Sequence, residues 1–270
     1  MSRLLVVANE TVGGTPLIDA VKKRSEQGDV NVTVICPQNQ PKGGWVIYEE
    51  SARSAAENRL DTTLASLREI GVEAEGEVMD PDPYTATMDA INAFGADEVI
   101  ISTYPDTRSG WMRQDLIERV ERDTGLPVEH VVVDLDVERQ DVTRTLVVAN
   151  QTVDSEPLFK RILKKNGEGT HIFTIVVPAA GGAGDPNERL GSLLKRLSDE
   201  DIQAVGQVGH PDAYTAIQNA LQFYKVDEIV IATFEGERSG WMRANLIERV
   251  KGSTQCPVEH VVAERAEVLG

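Results

Sequence analysis

Cysteine, positive charge and long apolar runs are all scarce in this sequence. No stretch of the 270 residues reaches the roughly 18 uninterrupted apolar residues of a membrane span. The start, MSRLLVVANE, runs straight into a strand pattern rather than the leader of an exported chain. Only Cys36 and Cys256 are present, far apart in the chain. Reduced thiols in a cytosol are therefore expected in preference to a disulfide. Against 44 Asp and Glu stand 27 Lys and Arg, a formal charge of −17. That excess argues against nucleic acid or an anionic membrane as partner, because like charges repel at long range. The expected location is cytoplasmic.

What is present in quantity is repetition. RLLVVANETV from Arg3 recurs as RTLVVANQTV from Arg144, an offset of 141. Later blocks recur at an offset of 130: RSGWMR at Arg108 and Arg238, LIERV at Leu116 and Leu246, PVEHVV at Pro127 and Pro257. The second copy has thus lost eleven residues between Pro37 and Leu60. A period this long means two duplicated domains, 1–139 and 140–270, rather than a solenoid of short repeats.

Within each copy, short β-branched runs alternate with helical patterns. Leu4 to Ala8, Val32 to Cys36, Val72 to Val78, Glu98 to Thr103 and Val128 to Val133 read as buried parallel strands. Leu17 to Lys23, Ala52 to Ile70, Tyr84 to Phe94 and Met112 to Val120 read as helices, the last with Met112, Leu116 and Val120 on one face. The second copy repeats this order. Alternation of this kind predicts an α/β fold whose parallel sheet is covered on both sides, with five strands and four helices per copy.

The order of elements resembles the universal stress protein family, as do DPYTATMDAINAFGADEVIIS and DLIERVERDTGLPVEHVVV. The likeness covers nearly the whole chain, twice. It implies two Rossmann-like, HUP-type five-stranded sheets of order 3-2-1-4-5. It also implies an internal pseudo-dimer joined through the fifth strands, and leaves a further homodimer open. Many members bind ATP through G-x-x-G, nine residues, then G and Ser or Thr, at the start of the last helix, where glycines let the backbone approach phosphates. Here the first glycine positions hold Ser102 and Pro105, and the closing pair holds Gln114 and Asp115. The second copy has Ala232, Glu235, Ala244 and Asn245 there. Proline removes a donor and an acid repels phosphate, so loss of the ATP loop is expected in both copies.

Ligands of open α/β sheets bind beyond the carboxyl ends of the strands, at the point where strand order reverses. Asn9, Thr11, Asp82 and Arg108 are the candidates for that crevice in the first copy. Asn150, Thr152, Asp212 and Arg238 are their counterparts. The turns Arg108-Ser109-Gly110 and Arg238-Ser239-Gly240 combine a helix start, an open backbone and a guanidinium, which suits a small anion or a nucleotide. Each residue also has a plainer role: Ser109 and Ser239 as helix caps, the asparagines in Asx turns, Trp111 and Met112 as packing. His130 and His260 stand at matched places in the fifth strands, where packing is favoured over a metal site. The segment from Lys42 to Tyr48, found only in the first copy, covers a site, meets a partner or fills the surface.

No nucleophile–base pair, metal cluster or acid pair is visible, so no catalytic residue, metal or cofactor is expected. An ATP-pyrophosphatase or nucleotidyl transferase would need SGG-x-DS or H-x-G-H after the first strand. ANETVGGT and ANQTVDSE stand there instead. The expectation is a non-catalytic stress module that binds a small ligand or partner. The alternatives are a nucleotide-binding stress protein of the ATP or AMP type with weak hydrolysis, and a ligand-free scaffold.

Overall fold

The computed structural model describes residues 2–11, 13–38, 49–105, 115–138, 141–180, 184–235, 241 and 245–263, and at 49–51 and 136 the backbone alone. The chain divides into two compact units, residues 1–40 with 55–140 and residues 41–54 with 141–270. In chain order the first copy of the repeat runs β1 (Ser2–Val7), α1 (Thr15–Gln27), β2 (Val30–Pro37), α2 (Glu49–Glu69), β3 (Ala74–Met79), α3 (Pro83–Phe94), β4 (Glu98–Thr103), α4 (Leu116–Thr124), β5 (Val128–Val132) and α5 (Leu135–Glu138). The second runs β6 (Val142–Val148), α6 (Glu156–Glu168), β7 (Thr170–Pro178), α7 (Pro186–Ser198), β8 (Ala204–Gly209), α8 (Ala213–Phe223), β9 (Glu228–Phe234), α9 (Leu246–Ser253) and β10 (Val258–Ala263).

Each unit is a five-stranded parallel sheet, ordered β3-β2-β1-β4-β5 in the first and β10-β9-β6-β7-β8 in the second. In the same sense both are 3-2-1-4-5. The strand period of two divides each central strand between two cores. Leu4 and Val6 of β1 pack with Leu17 of α1 and Leu60 and Leu67 of α2. Leu5 and Val7 pack on the other face with Ala86 and Ala90 of α3 and Leu116 and Val120 of α4. The second unit divides Val147 and Leu146 in the same way. Burial of each such side chain stabilises by about 1.5–3 kcal/mol, which fixes the central strands most firmly.

Two details differ from the sequence reading. Of the helix expected from Met112, the part from Leu116 on is helical, preceded by Asp115 in a left-handed backbone with φ 48°, and Met112 to Gln114 lie outside the described residues. Asn245 takes the same backbone before α9, with φ 52°. Asp and Asn tolerate this conformation through local hydrogen bonding of their short side chains. The first unit also has a fifth helix, the single turn α5, which ends at Glu138, next to the expected domain boundary.

A charged clamp lies at the amino ends of the fourth and fifth strands in each unit. Arg24 on α1 bonds Glu98 at 2.6 Å and also pairs with Glu129. On α6, Lys165 takes the matched position, 2.8 Å from Glu228 and 3.2 Å from Glu259, and Arg161 joins Glu259 as well. The Glu228 carboxylate accepts the proton of the Thr145 hydroxyl at 2.7 Å, so His171 must donate to Thr145 through Nδ1.

The edge strands carry a second fixed tautomer. Thr103 and Thr233 each give their hydroxyl proton to a backbone carbonyl, so His130 and His260 donate to them through Nε2, both at 2.8 Å. Burial pushes the pKa of His260 down, and Lys251 adds to this; burial likewise depresses His171. An unfolded chain, with imidazole near 6.5, takes up protons first as pH falls. These two histidines therefore support the fold fully above about pH 6.5, and the support is lost as pH falls from there through their lowered folded pKa values. A lower melting temperature is expected at pH 5.5 than at pH 7.5 (both about one unit from the unfolded value). In the double variant His171→Gln/His260→Gln, the drop between these two pH values should shrink. An unchanged drop would refute the assignment.

Candidate functional site

The order reverses between the central strand and the fourth strand of each sheet, and the crevice lies beyond their carboxyl ends. Asn9 and Asn150 leave the central strands there, and Thr11 and Thr152 follow within the next turn. Each threonine reaches across the crevice. Thr11 Oγ1 donates to the Ser102 carbonyl at 3.3 Å, and Thr152 Oγ1 donates to the Ala232 carbonyl at 2.9 Å. Both threonines are buried, so the hydroxyls tie the first strand's exit to the fourth strand's end.

The asparagines are held by residues the sequence reading did not select. Arg59 on α2 donates through Nη1 to Asn9 Oδ1 at 3.0 Å, and Arg189 on α7 donates through Nη2 to Asn150 Oδ1 at 2.8 Å. Arg59 is only 8% exposed. Arg189 Nη1 also bonds the Gly184 carbonyl at 3.0 Å, and Asn150 Nδ2 bonds the Ala180 carbonyl at 2.9 Å. A signal for these arginines exists: an Arg-Leu pair, 59–60 and 189–190, recurs at the offset of 130 just after the length difference. Cys36 Sγ lies 3.9 Å from Asn9 Oδ1, and burial pushes this thiol up to about 12, so it stays protonated.

Asp82 and Asp212 are helix caps. Asp82 accepts from the backbone N–H and the hydroxyl of Thr85, both at 2.8 Å. Asp212 accepts the same pair from Thr215 at 2.9 and 2.8 Å. Burial raises the pKa of Asp212, but the two Thr215 bonds, together with the charges of Arg249 and His210, offset that and hold it below the ordinary range. With Pro83 at the first helical position, the DP start of α3 is a local cap before it is anything else.

Arg108, Ser109, Gly110, Arg238, Ser239 and Gly240 lie outside the described residues, as do Trp111, Met112 and the Lys42 to Tyr48 segment. Trp241, the counterpart of Trp111, packs half-buried against the core face formed by α8 and α9. A groove of about 250 Å³ runs beside β10, lined by Asn245, Leu246, Ile247, Glu248, Lys251 and His260. None of the expected ligand residues lines it. Among the described residues no three His, Cys, Asp or Glu side chains gather as metal ligands, and no helix is long and apolar enough to cross a membrane.

No protein-family model matches the sequence, and no curated protein matches it. The chain is similar to solved universal stress proteins. One from Archaeoglobus fulgidus is 18% identical over 98% of this chain and 97% of its own, with a TM-score of 0.38. Another from the same organism is 16% identical over 48% of this chain and 93% of its own, with a TM-score of 0.37.

Proposed function

We propose that this chain is a cytoplasmic, universal stress protein-like tandem protein that binds a small ligand or partner and catalyses no reaction. The observation that carries the reading is the commitment of the six described candidate side chains. Asn9, Thr11 and Asp82, and their counterparts Asn150, Thr152 and Asp212, all hold other parts of their own unit. A general base must reach a substrate proton, and a carboxylate that caps a helix through two hydrogen bonds is poorly placed to do so. The duplicated 3-2-1-4-5 sheet and the motifs shared with the family support the stress-module class. Replacement of the glycine loop at Ser102, Pro105, Ala232 and Glu235 supports loss of ATP binding.

Titration calorimetry with Mg-ATP is expected to give no binding tighter than about 1 mM, roughly 4 kcal/mol. Prolonged incubation should release no ADP or AMP above a buffer blank. A micromolar constant would overturn the loss of the ATP site. Turnover abolished by Asp82→Asn/Asp212→Asn would overturn the non-catalytic reading.

A further inference from the structure

The Arg-Leu pair is placed by packing that both units repeat. Leu60 seats on β3 where a Cβ at Gly76 would come within 2.5 Å of it, and Leu190 seats on β8 where a Cβ at Gly206 would come within 2.6 Å. With the leucine lodged against that glycine, the preceding arginine turns to the central strand and meets the asparagine. Asn9 and Asn150 are related by the offset of 141, but Arg59 and Arg189 by 130. The contact therefore spans the one segment where the copies differ in length, and it survives in both. Helix position has been kept to one residue on the far side of an eleven-residue difference.

We propose that Arg59 and Arg189 are built-in latches, each an internal ligand that occupies its own crevice. This rests on the reading of the crevice as a binding site. A guanidinium N–H offered to a carboxamide oxygen is the contact that the exocyclic amine of a planar heterocycle would make. Asparagine pairs with such an edge through both ends of its amide. In the second unit both ends are already used, Oδ1 by Arg189 and Nδ2 by the Ala180 carbonyl. The hydroxyls of Thr11 and Thr152 fasten the opposite wall to the fourth strand. An amine-edged ligand would have to displace the arginine, so the latched crevices exclude that class. Motion of α2 or α7 away from the strand would admit it.

The test compares wild type with Arg59→Ala/Arg189→Ala in calorimetric titrations with adenosine, cytidine and uridine, the last lacking the exocyclic amine. Adenosine and cytidine affinity should rise by about tenfold or more in the variant, a change of about 1.4 kcal/mol, with uridine unchanged. Arg59→Gln/Arg189→Gln keeps the stem and fills the space if the alanine variant fails to fold, and should show the same order of ligands. A folded variant with no gain for the amine-bearing nucleosides overturns the latch. So does wild type that already binds adenosine as tightly as the variant, although that result leaves the binding-module reading standing.

Discussion

Replacing Gly14 by serine is expected to destabilise the first unit by about 1–3 kcal/mol, and Val133→Ala in the same chain should restore much of the loss. The glycine is not required by the backbone: its φ is −71° and its ψ 138°, open to any residue. Space decides it. A Cβ at Gly14 would overlap Val133 Cγ1 and come within 3.3 Å of Leu135 Cδ2. The second unit solves the same packing the other way round. Its matched residue is Ser155, with φ −71° and ψ 141°, and the residue matched to Val133 is Ala263, fully buried. A small–large pair has been exchanged for a larger–small one. Ser155 makes no side-chain cap bond to α6, and its buried Oγ has no partner among the described residues, so capping is not what retains it. Urea denaturation of wild type, both single variants and the double would measure the coupling. Val133→Ala alone should cost about 2 kcal/mol through lost burial. A coupling of about 1 kcal/mol or more is expected for residues in contact. Additive single effects would dismiss the compensation.

This pair also shows where sequence reasoning loses its grip. The strands were legible because burial on both faces demands unbroken β-branched runs, and Glu98–Thr103 matches its expected range at both ends. The sheet order followed from the resemblance and is met in both units. The caps at Asp82 and Asp212 are local and could be read as DP and DA starts. Arg59, Arg189, Arg24 and Lys165 could not be placed by local pattern, since a charged residue on a helix is usually solvated. Their partners lie dozens of residues away, and only the fold brings them together. The serine at 155 points the other way: by residue type it is a helix cap, yet its hydroxyl is turned inward. Matching the two copies position by position, with the eleven-residue difference allowed for, is the signal that would have singled out all of these.

Loss of the cation at 165 is expected to be the most damaging surface-to-core change, costing about 2–3 kcal/mol in Lys165→Met. Removing one partner of a fully buried ion pair costs about 3–5 kcal/mol, because the remaining charge stays desolvated. The figure is lower here because the side chains of Glu228 and Glu259 keep 21% and 35% exposure, so water screens them in part, and Arg161 still bonds Glu259. Lys165→Arg should be nearly neutral, since Arg24 serves the same two carboxylates in the first unit. Acid provides the control. The hydrogen bond from Arg161 and then that from Lys165 hold the Glu259 pKa below its ordinary value. Its contribution is therefore complete above the unfolded value near 4.3 and lost as pH falls through the folded one. The difference between wild type and Lys165→Met should be largest near neutral pH and shrink below about pH 4 (about the unfolded glutamate value), as Glu259 protonates and no longer needs a counter-charge. Chemical denaturation at the two pH values measures it. A penalty that persists undiminished in acid would mean that the methylene stem of Lys165, not its charge, holds α6 to the sheet.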